Sequence, residues 1–154
     1  MTYWDTLPKK RMGAGCLIFD EDGRVLLVKP NYKPVWEIPG GVVEANESPK
    51  QCCQREVEEE LGLHLIIGRL LVVDYNNPTE VKTESIMFIF DGGILTQAEI
   101  TALQLQTEEL SGYSFFAQNQ LPHNMTDSLK NRVLIAWNQS VQNGALYTEN
   151  QREI

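Results

Sequence analysis

The sequence predicts an α/β (α+β) sandwich, and three observations carry that prediction. Short apolar runs stop repeatedly at turn residues, as strands do. One segment near residue 55 has helical periodicity and a heavy load of acids. A second, less charged helical segment lies near the C-terminus, so strands dominate with two helices of unequal chemistry. The chain has 154 residues with 42% apolar and 22% charged side chains, one domain's worth spanning residues 1–154.

Residues 12–20, MGAGCLIFD, form a small apolar strand that stops at the turn Asp20-Glu21-Asp22-Gly23. Arg24 to Lys29 is its partner, and the two read as a hairpin. Pro30 and Pro34 bracket a loop, and Trp36-Glu37-Ile38 is a short extended piece ending at Pro39-Gly40-Gly41. A helix is expected over about 49–61, followed by a strand pair from Leu63 to Asp74 broken near Gly68. Residues 85–90 and 113–117 are further strands. Residues 128–142 place Leu129, Val133, Ala136, Trp137 and Val141 on one buried helical face, with Thr126 or Asp127 as cap.

Composition excludes several function classes. Thirteen basic against 21 acidic residues leave a net charge of −8, which argues against a nucleic-acid-binding surface. If the substrate is a polyanion, something must mask the repulsion, and a divalent cation is the obvious candidate. The three cysteines, Cys16, Cys52 and Cys53, build neither a disulfide framework nor a CxxC metal site, which points to a reducing, cytoplasmic compartment. No apolar run has the length of a signal peptide or a membrane span, so no membrane partner is expected.

The informative segment is Gly41 to Leu63, GVVEANESPKQCCQREVEEELGL. Ser48 caps the helix, Pro49 occupies its first position, Gln51 completes a capping box and Gly62 ends it. At about 100° per residue, Cys53, Val57 and Leu61 form the core stripe. Glu56, Glu59 and Glu60 share the flank beside it, Glu58 lies on the far side, and Arg55 points away from the acids. Like charges one helical turn apart destabilise a helix by roughly 0.2–0.5 kcal/mol per pair. A solvated acidic face is one reading of this pattern. A site for Mg²⁺, which prefers oxygen ligands, is the other.

The spacing separates them. Gly41, Glu47, Arg55, Glu56, Val57, Glu59, Glu60, Gly62 and Leu63 match G-x5-E-x7-R-E-U-x-E-E-x-G-U, with U a bulky aliphatic residue. The segment thereby resembles the signature of the Nudix hydrolase family, without departure. The resemblance implies the Nudix α/β/α sandwich with a central mixed β-sheet. It also implies hydrolysis of a phosphoanhydride bond in a nucleoside diphosphate linked to another group, supported by Mg²⁺ or Mn²⁺. On that resemblance Glu56 and Glu60 are the main metal ligands, Glu59 is a third ligand or water-positioning base, and the Gly41 carbonyl also meets the metal. Arg55 belongs to the catalytic set by orienting the carboxylates and pairing with Glu47, a structural role. The general base varies in the family, and Glu109, Glu108 and Glu59 are the candidates here, with Glu99 behind them.

Substrate choice is less legible. Trp36 is a candidate to stack on a base, with a core role as the alternative, and Tyr32 and Asn76 are candidates for the mouth of the site. Some family members that cleave ADP-ribose carry a proline about 15 residues beyond the signature; Pro78 stands there, in what also reads as an ordinary turn. His64 and His123 read as structural and the cysteines as inert core fillers. The expected partner is a small nucleoside diphosphate derivative such as ADP-ribose, a nucleotide sugar or a (d)NTP. A homodimer, common in the family, is left open. The rival readings are a non-catalytic sensor of nucleotide derivatives, which would have lost signature carboxylates, and an RNA-directed hydrolase, which would need a basic channel.

Overall fold

A computed structural model describes residues 1–154, and its elements follow largely from local sequence. The order is β1 (Arg11–Phe19), β2 (Val25–Pro30), β3 (Gly40–Val42), α1 (Pro49–Leu61), β4 (Leu70–Asn76), β5 (Ser85–Ile94), α2 (Gln97–Thr101), β6 (Leu110–Phe116), α3 (Asp127–Ser140), β7 (Leu146–Glu149) and β8 (Arg152–Glu153). All strands join one mixed sheet in the order β6-β2-β1-β5-β4-β7-β8, with β3 also paired to β1. The β1–β5 and β4–β7 pairs are parallel and the rest antiparallel.

The sheet is covered on both faces, which explains why β1 is apolar from Met12 onward rather than alternating. Cys16 and Ile18 face Cys53, Val57 and Leu61 of α1. Leu17 and Phe19 face Val133 and Ala136 of α3. The expected sandwich is present, with α1 on one side and α3 on the other.

The expected hairpin exists only at its turn. Phe19 pairs with Val25, and beyond that point β1 and β2 diverge. The gap is filled by the chain from Glu37 to Val42: Val28 and Glu37 exchange two backbone bonds of 2.8 Å, the Cys16 N–H donates to the Pro39 carbonyl at 3.1 Å, and β3 pairs along residues 13–15. The Pro-Gly-Gly turn is thereby wedged into the sheet.

Other differences have local causes. Residues 63–69 are not a strand: Leu63 and Ile67 plug the core beneath α1, while Ile66 is left exposed, so the ladder begins only at Leu70. The short α2 was missed although Thr96 and Glu99 form a capping box around it. β7 and β8 were also missed, being too short for a period to register. α3 ends at Ser140, so Val141 leaves the buried face and is exposed. Its cap is Thr126, and its buried face includes Arg132.

Arg132 meets Asp74, which is fully buried on β4. The Asp74 carboxylate accepts from Arg132 Nε at 2.9 Å, Thr148 Oγ1 at 2.7 Å, and both the backbone N–H and Nε2 of Gln151 at 2.9 Å. Burial alone would raise its pKa, but these donors outweigh it and leave it lowered.

Candidate functional site

Helix α1 forms as its sequence dictates. Ser48 accepts from the Gln51 N–H at 3.1 Å, Gln51 reaches back to the Ser48 N–H at 2.9 Å, and Gly62 closes the helix at φ 66°. Cys53, Val57 and Leu61 are wholly buried as the core stripe, along with Cys52. This fixes the helix's rotation and turns Glu56 and Glu60 toward the wedged turn.

Glu60 is only 6% exposed, and its Oε1 accepts from the Gly40 N–H at 2.9 Å. Burial pushes its carboxyl up to about 8, against the pull of the Gly40 bond, with the charges of Glu56, Glu37 and Glu109 adding to the rise. Glu56 is raised by burial too, although Arg55 opposes the shift. Gly41 lies against Glu56: a Cβ there would stand 2.5 Å from Glu56 Oε1. At Gly40, φ is 155° and a Cβ would meet the Ala14 carbonyl oxygen at 2.3 Å, so only glycine fits the wedge. Gly41→Ala is therefore expected to displace the Glu56 carboxylate and cut kcat at least about tenfold, with a nearly unchanged melting temperature. Steady-state kinetics with a thermal melt check this.

Arg55 does not point away from the acids. Its Nε and Nη2 hold Glu47 at 2.7 and 3.0 Å, and Nη1 reaches Glu56 at 2.9 Å and Glu59 at 3.3 Å. The helical wheel tracks only the direction of Cβ, whereas the long guanidinium curls around the helix. Glu47 is held down to about 2, chiefly by the Arg55 hydrogen bonds. Arg55 Nη1 thus bridges Glu56 and Glu59, while no three His, Cys, Asp or Glu side chains stand together as a ready-made ligand set. Glu59, 58% exposed, bonds only to Arg55. Glu58 faces solvent, 3.4 Å from His64 Nδ1, so Glu58→Gln should leave kcat within about twofold of wild type in the same assay.

Glu109 comes to the site from outside the helix. The chain after α2 runs back along the end of α1, with the Gln104 and Gln106 N–H groups each donating at 2.9 Å, to the Leu61 and Glu60 carbonyls. Glu109 then lies close enough to raise both Glu56 and Glu60. Glu108 is exposed beside it, and Glu99 is spent capping α2. Glu37 was overlooked. Trp36 and Ile38 pack on the α3 face, which puts Glu37 on the α1 face, where its charge acts on Glu60. The alternation Trp-Glu-Ile is the signal that could have found it.

The candidate substrate residues are not brought together. Trp36 packs edge-on against Phe116 at 5.2 Å, with Lys29 Nζ 5.7 Å from its ring. Tyr32 is 75% exposed on the loop after β2. Asn76 lies on the α3 face, where its Oδ1 accepts from Arg132 at 3.0 Å and Gln151 at 2.8 Å; strand alternation from Asp74 carries it away from α1. Pro78 sits in an exposed turn closed by Thr79 N–H to Lys82 O at 2.8 Å.

No helix is long and apolar enough to cross a membrane. A family model described as the NUDIX domain matches residues 9–137. An RNA pyrophosphohydrolase of Hydrogenovibrio crunogenus is 29% identical over 121 residues, which cover 68% of this chain and 72% of the relative. A crystal structure of a MutT NUDIX hydrolase from Burkholderia pseudomallei superposes with a TM-score of 0.69 at 26% identity, over 88% of this chain and 100% of that one. A UDP-X diphosphatase structure gives 0.77 at 26% identity, over 93% and 68%. The family model spans most of the chain and the fold recurs in solved relatives, so the chain belongs to the Nudix hydrolase family.

Proposed function

We propose that this chain hydrolyses a phosphoanhydride bond in a small nucleoside diphosphate derivative, with Mg²⁺ or Mn²⁺ bound at Glu56, Glu59, Glu60 and the Gly41 carbonyl. The observation that carries the reading is Glu60: a nearly buried carboxylate with a single donor, crowded by three other acids. Such a group stays charged at neutral pH only beside a cation. The donors are all oxygen, which fits a hard divalent ion. When bound, the metal neutralises the pyrophosphate and lowers the pKa of a coordinated water.

The chain's own residues do the positioning. Gly40 and Gly41 let backbone approach Glu60 and Glu56, and Arg55 orients Glu56 and Glu59 from behind. In this reading Glu109 or Glu59 accepts a proton from the attacking water as its oxygen bonds to phosphorus and the anhydride oxygen leaves with the second phosphate. Tyr32 lies at the exposed margin. Trp36 and Asn76 are spent on packing and on the Asp74 cluster, and take no part in this reading.

The test is a chromatographic screen for phosphomonoester and pyrophosphate products, run with Mg²⁺ and with Mn²⁺. ADP-ribose, nucleotide sugars, dinucleoside polyphosphates, NADH and oxidised dNTPs are compared with a short 5′-triphosphate RNA, which the first relative's name brings in. The expected result is turnover of a small substrate, abolished by EDTA and restored by metal. Preference for the RNA would overturn the substrate class, and tight binding without turnover of any compound would overturn the hydrolase.

A further inference from the structure

Resting on that hydrolase reading, we infer that Lys33 is the side chain that takes the substrate's phosphate oxygens, from a parked position on Glu37. A site assembled from Glu37, Glu56, Glu60 and Glu109 must attract a polyanion, and beyond any metal it needs a cation with donors to spare. Arg55 has none. Its Nε is given to Glu47, Nη1 to Glu56 and Glu59, and Nη2 to Glu47 and the Val42 carbonyl. Releasing any of its carboxylate bonds would free an acid to repel the incoming phosphate. Lys29 lies over Trp36, on the far face of the sheet from Glu60.

Lys33 is differently placed. Its Nζ is paired with a single Glu37 oxygen and lies 5.4 Å from the centre of the Tyr32 ring. An ammonium has three donors, so the Glu37 contact leaves two unspent. The side chain is 42% exposed, so it moves at little cost in packing. Its loop is tied to the rim of the site: the Asn31 N–H donates to the Glu109 carbonyl at 2.7 Å, and Asn31 Nδ2 to the Thr107 carbonyl at 3.0 Å. Glu37 is thus both a repelling charge beside Glu60 and the counter-charge that holds Lys33 next to it. When a phosphate enters, the ammonium exchanges one carboxylate oxygen for phosphate oxygens and stays within reach of Glu37.

Two readouts test this. The first is calorimetric binding of imidodiphosphate with Mg²⁺, whose P–N–P link resists hydrolysis; the second is KM and kcat on the substrate that the screen selects. Lys33→Met, which keeps the stem and loses the charge, is expected to raise both Kd and KM about tenfold with kcat within about twofold. Lys33→Arg is expected to restore both to within about threefold of wild type. An unchanged Kd and KM in Lys33→Met, or a loss confined to kcat, overturns the assignment, as does failure of Lys33→Arg to restore binding. If wild type turns over nothing yet its imidodiphosphate affinity depends on Lys33, the hydrolase reading falls and the Lys33 assignment stands.

Discussion

At pH 8, metal-free Glu60→Gln protein is expected to melt about 5–10 °C above the metal-free wild type, and with Mg²⁺ added the variant is expected to turn over at least about a hundredfold more slowly. The folded-state pKa of Glu60 is raised from the ordinary 4.5 to about 8. The folded chain therefore holds a proton that the unfolded chain has released across that window, and stability falls as pH rises through it. Below about pH 4.5 the carboxyl is neutral in both states and costs nothing. Near pH 8 most of the penalty is present, on the order of 2–4 kcal/mol after allowing for relaxation around the charge. Glutamine keeps an oxygen for the Gly40 N–H and carries no charge, so the advantage of the variant should shrink to nothing by pH 4.5. Melting curves from pH 4.5 to 8.5 check the slope. Adding Mg²⁺ should raise the wild-type melting temperature at pH 8 and leave the variant's nearly unmoved. A variant less stable than wild type at pH 8 would mean that Glu60 is not a desolvated charge.

Arg55→Lys should cost about 10–100-fold in kcat/KM, although the charge is kept. Lysine offers a point charge in place of the planar fork, so it cannot hold Glu47 through two nitrogens and reach Glu56 and Glu59 with a third. Glu56 and Glu59 then lose their orientation. The acid limb of stability should change as well. Glu47, held down to about 2 in the fold, supports the folded state above pH 4.5 and loses that support as pH falls toward 2. In the variant this acid-dependent loss should be smaller, because less support exists to be lost. Full activity in Arg55→Lys would show that the clamp does not set the carboxylate geometry.

Helix α1 was legible because every local rule pointed the same way: the Ser48–Gln51 box, Pro49, the stripe of Cys53, Val57 and Leu61, and Gly62. Its acids could be placed by rotation alone. What rotation could not supply was the reach of a long side chain, so the four contacts of Arg55 with Glu47, Glu56 and Glu59 emerged only from the fold. Glu37 and Lys33 escaped for another reason. The Trp36-Glu37-Ile38 alternation sets Glu37 opposite its two neighbours, but which face of the sheet it takes depends on its insertion between β1 and β2. The segment after α1 was misread because apolar residues that plug a core and apolar residues that line a strand look alike in sequence.

The buried Asp74 sets a condition on synthesis. Its partners Arg132, Thr148 and Gln151 leave the ribosome 58, 74 and 77 residues after it. Until they arrive, a carboxylate on β4 has no donors to replace water, and the side of β4 that β7 will occupy remains open. A nascent or truncated chain stopped before residue 146 therefore carries an unpaired sheet edge that can template association with another copy. Residues 146–151 thus close this side of β4 and complete the donors around Asp74 in the same step.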